Sequence, residues 1–216
     1  MWAAIVNRDV PEIERFRSTE EGPHALYYAI IANRPDIIDM LRRRGDPVIA
    51  FSGPIHALDV AVLCGHLDLA RKFHTEGESH SNRIVKVAIL SNSVQMIEFV
   101  HDTLGAIFNI DHLIYALMGK NVAEFMLENY AVEIFSNRIT EEHLIELNMT
   151  ALNYASHDAI YKLYKYLPLI CTKDIVDSII HRNDPLVIQM LSPALKSKGL
   201  IDYVRCRMDQ LKIDCA

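Results

Sequence analysis

HALYYAIIANRPDIIDMLRRRG (24–45) and HALDVAVLCGHLDLARKFHTEG (56–77) start 32 residues apart and align without a gap. They share His24/His56, Ala25/Ala57, Leu26/Leu58, Ala29/Ala61, Asp36/Asp68 and Gly45/Gly77, and most of the remaining letters differ. A catalytic centre has no reason to be copied in this way. A structural unit that stacks on a near-copy of itself does.

The frame extends in both directions from an alanine in the middle of a short helix. Ala4, Ala29, Ala61 and Ala88 are each followed four residues later by Arg8, Asn33, Gly65 or Asn92. A second apolar helix comes next, marked by Ile13 and Phe16, by Ile37, Ile38 and Leu41, by Leu69, Ala70 and Phe73, and by Met96, Ile97 and Val100. Apolar residues at i, i+3 and i+4 give each helix one narrow stripe. Helices this short are marginal alone and gain stability by stacking. Asn33, Gly65 and Asn92 suit turn geometry. Pro11, Pro35 and Pro185 sit in the first turn of second helices, where a missing N–H costs little, and Gly45 and Gly77 end second helices.

Beyond residue 105 the frame loosens. LIYALMGKNVAEFMLENYA (113–131), ALNYASHDAIYKLYKYLP (151–168) and VDSIIHRNDPLVIQMLSP (176–193) keep two helices each with altered turns. No segment alternates in the manner of a strand. The expectation is an all-α chain: a solenoid of about seven stacked helix pairs forming one domain over 1–216, with clear repeats over 1–105 and degenerate repeats plus a C-terminal cap over 106–216.

Composition agrees with a helical core. Of 216 residues, 50% are hydrophobic and only 8% aromatic, so Leu, Ile, Val, Met and Ala must fill it. The net charge of -6 argues against a nucleic-acid partner, which favours a basic face. No run of 18 apolar residues exists, and Arg8 and Asp9 come too early for a secretory leader, so neither a membrane span nor export is expected. Cys64, Cys171, Cys206 and Cys215 are scattered, which predicts free thiols in a reducing, cytoplasmic setting.

Residues 57–77 resemble an ankyrin repeat. Leu58, Ala61, Gly65, His66, Leu67, Asp68 and Gly77 match the family pattern, while Ala57 stands in place of its Pro and Asp59 in place of its His. Successive anchors are 25, 32 and 27 residues apart, shorter than the family's spacing of about 33. Only DPVIAFSGPI (46–55) leaves room for a β-hairpin finger, so fingers should be reduced or missing. Finger-poor arrays of this texture are similar to the ankyrin-like proteins of large cytoplasmic DNA viruses, including African swine fever virus multigene families and poxvirus ankyrin proteins. That resemblance implies a viral, non-enzymatic interaction module acting in the host cytoplasm. Its implied partner is a host regulator of innate immune signalling, in the NF-κB or interferon pathway.

The residues themselves offer little chemistry. The ten histidines include His56, His66, His74 and His80 in one region, but a zinc site needs three or four converging ligands, and no HExxH is present. Nucleophile-elbow, phosphate-loop and dinucleotide glycine patterns are absent. No catalytic residue, metal or cofactor is therefore expected. The candidate contacts are protein-binding ones: Ile31 and Leu63 on first helices, Arg42, Arg43 and Arg44 at a helix end, and Asp46 and Phe51 in the long loop. The arginine run suits either the negative end of a helix dipole or an acidic partner. Phe51 suits either an anchor or a side chain tucked against its neighbour helix. A small helical hydrolase or metal-dependent enzyme, and a self-assembling protein with an exposed end at Trp2, are the alternatives. Oligomeric state is left open.

Overall fold

The computed structural model describes residues 1–205 and 207, apart from 18, 20, 21, 51, 52, 120, 137, 138 and 168–171. The chain is predominantly helical. Among the described residues the one strand pair is a two-residue hairpin, β1 (Ile49–Ala50) and β2 (Gly53–Pro54), antiparallel with Ala50 opposite Gly53. It lies in the one inter-helix stretch with room for it. The chain divides into two compact units, Met1–Leu104 and Gly105–Ala216, a division that falls where the repeat frame loosens.

The first unit contains α1 (Trp2–Asn7), α2 (Val10–Arg17), α3 (Ala25–Ile31), α4 (Pro35–Arg43), α5 (Ala57–Leu63), α6 (Leu67–Thr75), α7 (Ile84–Leu90) and α8 (Val94–Glu98). Odd and even helices pair, and each odd helix also packs on the next: α1 on α3, α3 on α5, α5 on α7. The alanine anchors lie in these contacts. Ala29, Ala61 and Ala88 are wholly buried and Ala4 nearly so. A small side chain there lets neighbouring helices approach closely.

Four residues past each anchor the backbone turns left-handed, at Arg8 (φ 59°), Asn33 (φ 50°), Gly65 (φ 73°) and Asn92 (φ 50°). The anchor's carbonyl then accepts the N–H five residues on: Asp9 to Ala4 at 2.9 Å, Arg34 to Ala29 at 3.0 Å and His66 to Ala61 at 2.9 Å. These bonds satisfy carbonyls that the helix end would otherwise leave open. In the fourth pair the Ser91 hydroxyl donates to the Ala88 carbonyl at 2.7 Å. Second helices end alike, at Gly45 (φ 76°) and Gly77 (φ 80°).

One irregularity has a countable cause. The left-handed glycine comes 16 residues after the anchor in the twin stretches (Ala29 to Gly45, Ala61 to Gly77) but 17 after Ala88, at Gly105. The extra residue is absorbed by a π turn at Phe99–Thr103, which continues α8. The wider turn buries Phe99 and Val100 and still delivers the chain to its glycine cap.

Bonds between repeats recur at fixed places. His24 Nδ1 lies 2.8 Å from the Ile49 carbonyl oxygen, and His56 Nδ1 lies 3.0 Å from Ser79 Oγ. The histidine shared by the twin stretches thus reaches forward to the next loop in both. The residue after the left-handed turn reaches backward: Arg34 donates to the Val6 carbonyl, and His66 Nε2 sits 3.0 Å from the Ile31 carbonyl oxygen. Asp59 is buried and accepts the Ser81 N–H with both oxygens, at 3.1 and 3.2 Å.

The second unit contains α9 (Ile110–Leu117), α10 (Val122–Asn129), α11 (Ala131–Ser136), α12 (Glu141–Tyr154), α13 (His157–Tyr166), α14 (Lys173–Arg182) and α15 (Pro185–Ser197). α9, α12 and α14 pack in series, as do α10, α13 and α15. One feature differs from the sequence expectation. α11 is an additional helix, held by buried Ala131 and Ile134 and by Glu133, whose Oε1 accepts the Phe108 N–H at 2.5 Å. α12 starts at Glu141, ahead of the 151–168 stretch, and Thr140 caps it. The Thr140 hydroxyl accepts the His143 N–H at 3.2 Å and His143 Nδ1 accepts the Thr140 N–H at 3.4 Å. Asn109 and His112 close the same reciprocal cap on α9. Asn183 (φ 47°) turns the chain from α14 into α15, where Pro185 is the first helical residue.

Candidate protein-binding face

The odd helices of the first unit present one repeated outward position, two residues past the anchor. Val6, Ile31, Leu63 and Leu90 occupy it. Val6 and Ile31 are half-buried, Leu63 is 41% exposed and Leu90 58% exposed. The next position holds Asn7, Ala32, Cys64 and Ser91, all short side chains that leave the aliphatic row standing clear. Burial pushes the Cys64 thiol pKa up, which disfavours the reactive thiolate.

At the α1–α3 end the row continues into aromatic surface. Trp2, 46% exposed, stands edge-on to Tyr28 with ring centroids 6.1 Å apart, and Tyr27 and His24 lie at 5.9 and 6.4 Å from the same ring. Such rings bring large contact area with few rotatable bonds. Tyr27 and Tyr28 were not among the sequence candidates. Their signal is in the frame: they precede Ala29 by two residues and one, on the side of the helix that also shows Ile31.

The remaining candidates have varied surroundings. Arg42 forks onto the next repeat, pairing with Glu76 and Glu78, with its guanidinium carbon 5.1 Å from the centre of the Phe73 ring. Arg44 pairs with Glu14 of the preceding repeat. Arg43 is exposed and donates from Nε to its own helix at the Asp39 carbonyl, 3.0 Å away. Lys72 pairs with Asp39, so α4 and α6 are joined by ion pairs in both directions. Between these groups lies an open hollow of about 630 Å³ lined by Asp39, Arg42, Arg43, Lys72 and Glu76. Its charges largely answer one another. Asp46 is half-buried in a smaller depression with Val48, Ile55 and His56. Phe51 lies outside the described residues, as do Cys171, Cys206 and Cys215. The structure therefore brings Ile31 and Leu63 together on one face, and sets Arg42 and Arg44 in bonds between repeats.

The histidines are distributed through the scaffold. His24, His56 and His66 join repeats, His112 and His143 close helix caps, His74 stands edge-on to Phe99 at 6.2 Å, and His157 bonds Asp184. Among the described residues no group of three or more His, Cys, Asp or Glu side chains is placed to hold a metal ion. Among them, too, no helix is long and apolar enough to cross a membrane. No family model, curated protein or solved structure matches this chain.

Proposed function

We propose that this chain is a non-enzymatic interaction module: an ankyrin-like helical-repeat scaffold with reduced fingers that holds a second protein on the odd-helix face of its first unit. One observation carries the reading. The same outward position in four successive repeats is aliphatic, and it is most exposed in the last two, at Leu63 and Leu90. A stacked array needs its alanines, its left-handed turns and its inter-repeat bonds. It has no structural need for leucine at a solvent-facing helix end. Aligned apolar side chains on a repeat array suit an extended contact with a partner. The resemblance to viral ankyrin arrays makes a host regulator of innate immune signalling, in the NF-κB or interferon pathway, the partner class we propose for first trial.

The experiment is affinity capture from host-cell lysate with the full chain and with Leu63→Glu/Leu90→Glu, both checked for unchanged helical circular dichroism. A partner held by the first and lost by the second supports the reading. Capture that is indifferent to both leucines overturns the assignment of this face.

A further inference from the structure

The acidic net charge of the chain conceals a local exception at the end of α15. Lys196, Lys198 and, on the helical segment 201–205 that follows, Arg205 are all exposed. No Asp or Glu occurs between Asp184 and Asp202. Asp184 caps the far end of the 13-residue helix, about 20 Å away, and is held by His157 and Arg182. α13, which packs on α15, contributes only Asp158, whose charge acts on Lys162 where that lysine pairs with α10. Asp202 alone is close: it stands 3.9 Å from Arg205, with side chains 92% and 68% exposed. Lys196 and Lys198 have no ion-pair partner among the described residues.

Lys196 and Arg205 line one open hollow of about 560 Å³, together with Asp202, Ser192 and the apolar side chains of Pro193 and Ile201. Ser192 and Lys196, and likewise Ile201 and Arg205, are four residues apart and so share one side of their helical segments. The volume is that of a small-molecule site, which spans about 300–1,000 Å³. The negative end of the α15 dipole accounts for Lys196 and Lys198. It gives no reason for Arg205 to converge on the same hollow from the next segment, nor for an apolar lining between the two cations.

We propose that this hollow binds a small amphipathic organic anion, with its carboxylate or phosphate head on Lys196 and Arg205 and a short apolar body against Pro193 and Ile201. The site lies within the second unit and does not depend on the odd-helix face of the first. Charge sets the sign of the head group. An ammonium would meet two cations against one carboxylate, and a neutral head would leave Lys196 unanswered. The lining sets the body, because a bare inorganic anion gains nothing from Pro193 and Ile201.

The test uses the full chain, isotopically labelled, with octanoate, octyl phosphate, acetate and octylammonium as probes. The expected result is saturable chemical-shift change at Lys196, Ile201 and Arg205 with octanoate or octyl phosphate, weakened by salt. The tighter of the two names the head group. Acetate should bind at least about tenfold more weakly than octanoate, and octylammonium should leave these three resonances in place. Lys196→Gln/Arg205→Gln, at exposed positions, should weaken the anion by about tenfold with unchanged helical circular dichroism. Lys196→Glu/Arg205→Glu should abolish anion binding and admit octylammonium. Equal response to octanoate and octylammonium overturns the proposal, as does response to neither octanoate nor octyl phosphate at millimolar concentration. Acetate binding as tightly as octanoate removes the apolar body, and undiminished binding in the Gln variant removes the two cations; either result also overturns it. The selectivity of the unaltered chain among the probes decides the matter even where a variant fails to fold.

Discussion

His66 Nε2 lies 3.0 Å from the carbonyl oxygen of Ile31, 35 residues earlier in the chain. Arg34, one repeat upstream, makes the same backward bond to Val6. A side chain from one repeat thereby satisfies a carbonyl at the end of the preceding odd helix, beside the aliphatic row. His66→Ala should destabilise the chain by about 0.5–1.5 kcal/mol, the net value of a typical hydrogen bond. Urea unfolding of the variant measures it; an unchanged midpoint would mean that water serves the Ile31 carbonyl as well.

Ala61 is wholly buried where α5 meets its neighbours. Ala61→Leu should cost about 1–3 kcal/mol by overpacking. The same substitution at Ala32, half-buried and outside the anchor row, should cost much less. Thermal unfolding of the two variants side by side tests whether the anchors have been placed correctly.

Gly65 has φ 73°, and a Cβ there would meet nothing within 4 Å. Any cost of replacing it is therefore backbone strain, not crowding. Asn33 and Asn92 already occupy this turn with φ 50°. Gly65→Asn should be close to neutral, and Gly65→Val should cost about 1–2 kcal/mol or more. Equal effects, read by denaturant titration, would contradict the left-handed assignment.

The three arginines should respond unequally. Arg42 has two carboxylate partners on the next repeat and lies over Phe73, with its side chain 27% exposed. Arg43 is exposed and bonds only its own helix among the described residues. Arg42→Ala should destabilise by about 1–2 kcal/mol through lost packing as well as lost charge. Arg43→Ala should stay within about 0.5 kcal/mol. Matching losses would make the run a simple dipole cap.

Asp184 contributes to acid stability in the second unit. The hydrogen bond from His157 holds its carboxyl below the usual carboxylate range, and the Val187 and Leu186 N–H groups act in the same direction. A depressed carboxylate stabilises the fold above its unfolded pKa. That contribution is lost as pH falls from the ordinary carboxylate range through the lower folded value. Asp184→Asn should flatten this acid-side slope. Asp184→Ala should also lose the α15 cap, costing about 1 kcal/mol. Stability measured across the acid range distinguishes these outcomes, and a wild-type slope retained in Asp184→Asn would place the titration elsewhere.

The sequence made the helices and turns of the first unit legible because their signals are local. An alanine flanked by apolar residues, a left-handed residue four places on and a glycine after the second helix all act through nearby backbone geometry. The bonds between repeats were less legible. His24, Arg34 and His66 meet backbone carbonyls, which carry no residue identity. Arg42 read as a helix-end charge because Glu76 and Glu78 lie more than a repeat away. In the second unit the start of α12 was legible in the same local way, because Thr140-Glu-Glu-His puts a capping hydroxyl and an acidic first turn just before an apolar run. Of the face, Ile31 and Leu63 followed from the frame, whereas Tyr27 and Tyr28 were hidden among core letters of the same helix.

The central claim is that partners engage the aliphatic row of the odd helices. The most direct measurement is photo-crosslinking in the lysate used for affinity capture, with a photoreactive residue placed singly at Leu63, at Leu90 and at exposed Arg71 on α6. The account predicts one discrete protein adduct shared by positions 63 and 90 and absent at 71. An adduct at 71 with none at 63 or 90 would contradict it.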